Sequence, residues 1–190
     1  MGGFLAGSIP FGLLLARGLL GVDVRTVGSG NIGATNVARA GGKKLGVVVL
    51  LLDAAKGAVP MLVARAILGD APNAEAWVVA TGAAAFLGHV FTPWLRFHGG
   101  KGVATGLGVF AVLAPWAAVA GVAAFGIAYA ATRISSIGSL SGTLVCVAGT
   151  FVANGARSPV SWAGVLLGAV IALRHRDNVR RLVRGEEKKV

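Results

Sequence analysis

Two glycine-rich stretches carry the residues best suited to chemistry. VGSGNIGATNVARAGGKK (27–44) places Ser29, Asn31, Thr35, Asn36 and Arg39 among glycines, and HGGKGVATG (98–106) places Lys101 between Gly99-Gly100 and Gly102. Hydroxyls, amides and fixed positive charge at this density suit an anion. Arginine offers phosphate a planar fork, and lysine a point charge. Successive glycines also bare backbone N–H groups that can surround an anion, and a helix starting at Val103 would add its N-terminal dipole. The alternative for the second stretch is a helix-end turn with a snorkelling lysine.

Neither stretch is a nucleotide site. Gly28, Gly30 and Gly33 spell G-x-G-x-x-G, but Leu45 begins an apolar run where a βαβ unit is required, and the acidic residue about 20 positions on, Asp53, lies inside that run. The second stretch has Gly102 where a Walker loop needs Ser or Thr for magnesium.

Two further polar clusters follow. RISSIGS (133–139) ends in Ser139, and its hydroxyls either donate to phosphate oxygens or cap the next helix. RHRDN (174–178) sets His175, Asp177 and Asn178 directly after the last apolar run, with His175 and Asn178 three apart and on one side of a helix and Asp177 expected in a structural, supporting role. His89, near the end of an apolar run, is expected to be structural and to orient the lysine loop. Asp53 and Lys56, at i and i+3, can pair within the bilayer, in either a structural or a functional role. The three histidines lack the companions of a catalytic metal site, so no metal is expected. There is no G-x-S-x-G elbow. The H-x-x-x-x-D pattern of CoA-dependent glycerolipid acyltransferases is absent too, because Trp94, Val103 and Arg180 stand five beyond His89, His98 and His175.

The elements that must position these clusters are membrane helices. Of the 190 residues 55% are apolar and 13% charged, with mean hydropathy +0.77, against about 25% charged in soluble domains. Apolar runs cover 4–20, 45–68, 76–95, 103–113, 115–131, 137–153 and 160–173. A bilayer crossing takes about 20 residues, so the shorter runs are half-spanning helices or parts of longer ones, and 103–131 crosses either once or twice. The expected fold is all-α: a polytopic membrane bundle of seven segments in a single domain, 1–190. Fifteen of the 18 Lys and Arg fall in four places: 17–44, 96–101, Arg133 and 174–189. The positive-inside rule puts those regions in the cytoplasm, with the N-terminus outside and the C-terminus inside. The net charge of +11 thus faces anionic lipid or an anionic substrate, and no nucleic acid is expected. The single Cys146 excludes an intramolecular disulfide and a cysteine zinc site.

The order and spacing of GSIPFG (7–12), the stretch 27–44, GHVF (88–91), FHGGKGVATGLG (97–108), RISSIGS and RHRDN resemble the bacterial PlsY family, the acyl-phosphate-dependent glycerol-3-phosphate acyltransferases. The resemblance implies an enzyme of the bacterial inner membrane with cytoplasmic active-site loops. It would move an acyl chain from acyl phosphate to the sn-1 hydroxyl of glycerol 3-phosphate, with no cofactor and with the enzyme that supplies acyl phosphate as a partner. It further implies that Ser29, Arg39 and Lys101 bind substrate phosphates and that Ser139, His175 and Asn178 complete the polar pocket. Asn31, Thr35, Gly99, Gly100, Gly102 and Ser139 are expected to join the phosphate contacts, and Lys101, His175 and Asn178 are the expected catalytic residues. The proton of the hydroxyl goes to His175 or to the donor's phosphate. The family commonly has Pro where Thr92 stands and Glu where Asp177 stands. A transporter or channel for an organic phosphate is the reading from a different class.

Overall fold

The computed structural model describes residues 1–189. The helices are α1 (Gly2–Ser8), α2 (Phe11–Leu20), α3 (Ala34–Leu68), α4 (Ala74–Val90), α5 (Val103–Leu113), α6 (Pro115–Thr132), α7 (Ser135–Asn154), α8 (Pro159–Arg174) and α9 (Arg176–Val183), with 3₁₀ turns at Val24–Thr26 and Pro93–Leu95. The described residues hold no strand, as the apolar patterning requires. Five stretches are long and apolar enough to cross a membrane: Gly2–Leu20, Ala34–Leu68, Ala74–Leu95, Pro115–Thr132 and Ser135–Asn154. The apolar helices α5 and α8 are shorter. The run 103–131 is two helices, because Ala114 leaves helical geometry (φ −151°, ψ 76°) and Pro115 opens α6 without an N–H to continue α5. The chain forms two compact units, Met1–Val109 and Phe110–Val190.

In the first unit the opening run is broken at Ile9-Pro10, where proline cannot carry the α1 ladder onward. A helix end leaves its last carbonyls without partners, and the buried Lys56 and Thr92 supply them here. Lys56 Nζ donates to Ile9 O at 2.6 Å and Thr92 Oγ1 to Ser8 O at 2.7 Å, while Trp94 Nε1 donates to Ser8 Oγ at 2.8 Å. At the position where the PlsY family commonly has proline, this chain thus uses a hydroxyl donor. The Lys56 ammonium lies 2.7 Å from Asp53 Oδ1, and His89 Nδ1 stands 3.8 Å from the same oxygen. The pair expected from the i, i+3 spacing is formed, and it secures the break. α1 lies so close along α4 that a Cβ on Gly7 would overlap the Ala85 carbonyl, the small-residue packing that membrane helices use. Leu13, Ala16, Val24, Ile32, Val37 and Val49 form an apolar core that carries the first glycine stretch.

In the second unit α6 packs along α7, with Cys146 buried and its Sγ donating to Ala117 O at 3.5 Å. α8 is fastened to α7 by Ser161 Oγ, which donates to Thr150 O at 3.1 Å and to Gly155 O at 2.8 Å. His175 then interrupts the helix (φ −100°, ψ 3°) and α9 begins. α9 exposes Val179 and Val183 beside Arg176, Arg180 and Arg184, the composition of a helix lying at a membrane surface.

Candidate active site

The first glycine loop is organised by Asn36, which is 2% exposed. Its Nδ2 donates to Val24 O (2.8 Å), Val27 O (2.9 Å) and Asn31 O (2.9 Å), and its Oδ1 accepts from Ser29 N at 2.9 Å. One amide thereby satisfies several loop carbonyls that would otherwise be buried without donors. Gly28 must be glycine: it sits at φ +59°, and a Cβ there would overlap Asn36 Oδ1. Ser29 is exposed on this loop. Arg39 is exposed on the first turns of α3, with its Cδ 3.5 Å from the place of a Gly28 Cβ. Among the described residues its guanidinium has no carboxylate partner, so it can serve an incoming anion. Thr35 is half-buried in the first turn of α3. The Asn31 Oδ1 accepts from Gly33 N at 2.8 Å and shapes the entry to α3. Beside this loop Asp23 binds Arg25 and Arg17, each with an N–O distance of 2.6 Å. The Arg25 hydrogen bonds, followed by the weaker pull of Arg17, hold its carboxyl well below the usual range.

The lysine loop is laid over the end of α4. Gly99 N donates to Val90 O at 3.0 Å and Gly100 N to His89 O at 3.2 Å. A Cβ on Gly100 would overlap the His89 imidazole, and one on Gly102 (φ +86°) would overlap the Phe86 ring. His89, 4% exposed, therefore seats the loop. The expectation that Gly99 and Gly100 offer their N–H groups to an anion is corrected, because α4 carbonyls hold those hydrogens. What the loop presents is Lys101, half-buried two residues before α5. Arg96 and Phe97 just ahead of it have positive φ (50° and 63°), a backbone strain that non-glycine residues tolerate chiefly near functional sites.

In the second unit His175 is 2% exposed and Asn178 6%. His175 Nδ1 lies 2.8 Å from Ile171 O. A carbonyl only accepts, so Nδ1 carries the proton, and in the neutral ring Nε2 holds the basic lone pair. Asp177, expected to support this group, instead points outward, with 62% of its side chain exposed, and pairs with Arg180 (3.3 Å) and Arg176 (3.9 Å). Such surface pairs contribute little. The carboxylate that does reach Asn178 is Glu187, which receives Asn178 Nδ2 at 2.5 Å, Arg181 Nε at 2.6 Å and Ser136 Oγ at 2.9 Å. Burial raises the Glu187 pKa, but these three donors outweigh it and hold the carboxyl below its ordinary value. Ser139 is buried on α7 one turn beyond Ser136. The capping alternative for this serine cluster is not realised at the α7 start, where Ile134 is the cap residue and no side chain bonds to it as a cap.

Asn36, Ser136 and Glu187 carry structural roles that the sequence reading did not assign. Asn36 stood visible among the loop's polar residues, whereas nothing in the local pattern marks Glu187, 51 positions from the serine it binds.

Comparison with known proteins agrees with this anatomy. The model of the family described as glycerol-3-phosphate acyltransferase matches residues 1–185. The chain is 69% identical over 188 residues to the glycerol-3-phosphate acyltransferase of Anaeromyxobacter dehalogenans strain 2CP-1, covering 99% of this chain and 94% of that protein. It is 50% identical over 185 residues to the one from Geobacter sulfurreducens, covering 97% and 92%. The crystal structure of PlsY, an integral membrane glycerol 3-phosphate acyltransferase, in its glycerol 3-phosphate form superposes with TM-score 0.90 at 40% identity over 99% of this chain and 92% of that one. The lysophosphatidic acid form gives 0.87. A match over nearly the whole length, with the glycine loops and polar helix ends described above, places this chain in the glycerol-3-phosphate acyltransferase family of integral membrane enzymes.

Proposed function

We propose that this enzyme takes its acyl chain from an acyl phosphate and transfers it to the sn-1 hydroxyl of glycerol 3-phosphate at the cytoplasmic face of the bacterial inner membrane. The observation that carries the donor assignment is the nature of the side chains on the two glycine loops: cations suited to phosphates. Arg39 stands exposed above the loop tied by Asn36, Lys101 projects from the loop seated on His89, and the only thiol is buried against the Ala117 carbonyl. An acyl phosphate is a mixed anhydride and is already activated, so no covalent enzyme intermediate is needed. The hydroxyl oxygen attacks the acyl carbon and the bond from that carbon to the phosphate oxygen breaks. Inorganic phosphate leaves, and the hydroxyl proton passes to a base. The products are lysophosphatidic acid and phosphate.

Ser29, Arg39 and Lys101 are assigned to the substrate phosphates, and Thr35 and Gly102 to the shaping of their loops. Ser139 and Asn178 are assigned to orienting the acceptor, and His175 Nε2 to the proton. The clustering of Lys and Arg in three connections and the tail supports the cytoplasmic placement of these loops. The apolar helices leave the acyl chain in hydrocarbon while its phosphate reaches the cations.

The test is direct: protein in detergent with glycerol 3-phosphate and either palmitoyl phosphate or palmitoyl-CoA, followed by lysophosphatidic acid formation. Product from the acyl phosphate alone is expected; product from the CoA ester alone would overturn the donor. Arg39→Lys keeps the charge but loses the planar fork. It should raise the KM of the substrate whose phosphate it holds about 10-fold, equivalent to about 1.4 kcal/mol of binding. An unchanged KM for both substrates would remove Arg39 from phosphate binding.

A further inference from the structure

At the end of α9 the chain doubles back. Gly185 takes φ +69°, its N–H donates to Leu182 O at 3.1 Å, and Glu186 N donates to Arg181 O at 2.8 Å. These are the two bonds of a Schellman cap, which only a residue comfortable at positive φ completes without strain. The cap turns the tail back over α9 and delivers Glu187 to the three donors already described, leaving 8% of its side chain exposed. An ionised carboxylate is acceptor only. The end of the Asn178 amide that faces Glu187 must therefore be Nδ2, and Oδ1 is turned the other way. Ser136, the third donor, lies in the first turn of α7, one turn before Ser139. A single carboxylate thus ties the start of α7 to α9, and the two residues assigned to the acceptor stand on those elements.

We propose that Glu187 is a positioning residue for acyl transfer: it fixes the amide orientation of Asn178 and holds α9 against the turn of α7 that leads to Ser139. This rests on the reading above that Asn178 and Ser139 serve the transfer. The residue acts through its neighbours and touches no substrate. The bonds it makes are charge-assisted and stronger than neutral ones, and misplacing a reacting group by about 1 Å can cost about 100-fold in rate.

Glu187→Gln preserves the size of the side chain but removes its charge, and lets the amide at 178 turn either way. Its kcat should fall about 10- to 100-fold, with a much smaller change in the KM for glycerol 3-phosphate. Because the effect runs through Asn178, the double variant Asn178→Ala/Glu187→Gln should be no slower than Asn178→Ala alone. The chain has five asparagines. With their side-chain amides labelled with nitrogen-15, the Asn178 pair, assigned by its loss in Asn178→Ala, should shift in Glu187→Gln while the other four stay in place. The same spectrum shows whether the variant is folded. Unchanged kcat, multiplicative losses in the double variant, or an unmoved Asn178 amide would each overturn the proposal. So would a faster enzyme, because the tail carboxylate would then be blocking an anion's place. The amide shift is read with no acyl donor present, and the rate ratio is read with whichever donor the wild type accepts. A wrong donor assignment would therefore be seen separately from a wrong role for Glu187.

Discussion

His175→Gln is expected to lower kcat about 10²–10⁴-fold, the usual value of a general base, with little change in the KM for glycerol 3-phosphate. The local geometry provides the reason. His175 is where α8 gives way to α9, and its backbone N–H donates back to Ile171 O (3.1 Å) and Ala172 O (3.0 Å), so the residue is fixed at the helix end. Its ring Nδ1–H is held by the Ile171 carbonyl, which leaves Nε2 as the acceptor in the neutral form. Glutamine can retain the hydrogen bond to Ile171 but cannot take up a proton. Near-full turnover of His175→Gln at saturating substrate would assign the proton to the leaving phosphate and leave His175 as the clasp between α8 and α9.

The largest effect on stability is expected from Asp53→Ala. The Lys56 and Asp53 side chains are each 3% exposed, and the ammonium also serves the Ile9 carbonyl (2.6 Å) and stands 5.6 Å from the centre of the Phe11 ring. Removing the carboxylate leaves a buried cation without its counter-charge, which costs about 3–5 kcal/mol. For a chain of this length that is a fall in Tm of about 6–20 °C, measured by thermal unfolding in detergent. Replacing both partners together, Asp53→Leu with Lys56→Met, should recover most of the loss, because an apolar pair carries no desolvation penalty. Part of the loss should remain, because the Ile9 carbonyl loses its donor at the α1–α2 break. An Asp53→Ala protein that melts with the wild type would show that the pair contributes nothing net and that Thr92 and Trp94 alone secure the break.

The secondary structure was legible because its causes are local. Long apolar runs bounded near Gly21, Gly69, Pro115 and Pro159 must become membrane helices with ends near those residues, and α5 occupies the span expected of it, Val103–Leu113. The first run, expected as one segment, is two helices, because a proline in a short apolar run does not itself reveal that Lys56 and Thr92 will satisfy the carbonyls it strands. Lys101, Arg39 and Ser29 stood out as candidate anion ligands from residue type and glycine context, and His175 and Asn178 as an unexplained pair on one helix face. The family resemblance then gave that pair a role.

The sequence by itself thus determined an all-helical membrane protein with cationic glycine loops and a polar pair at the end of its last apolar helix. Hydropathy, helix punctuation and side-chain charge act over a few residues and leave a periodic or compositional trace. Only the tertiary structure decided which groups remain available to a ligand. It gave the Gly99 and Gly100 hydrogens to Val90 and His89, turned Asn31 to shape the entry to α3, and made Asn36 the centre of the first loop. It also turned Asp177 outward and brought Glu187 to Asn178 in its place. Each of these is a hydrogen bond or ion pair between single atoms whose partners are chosen by close packing. Such choices carry no period and no composition, so they become visible only when the chain has folded.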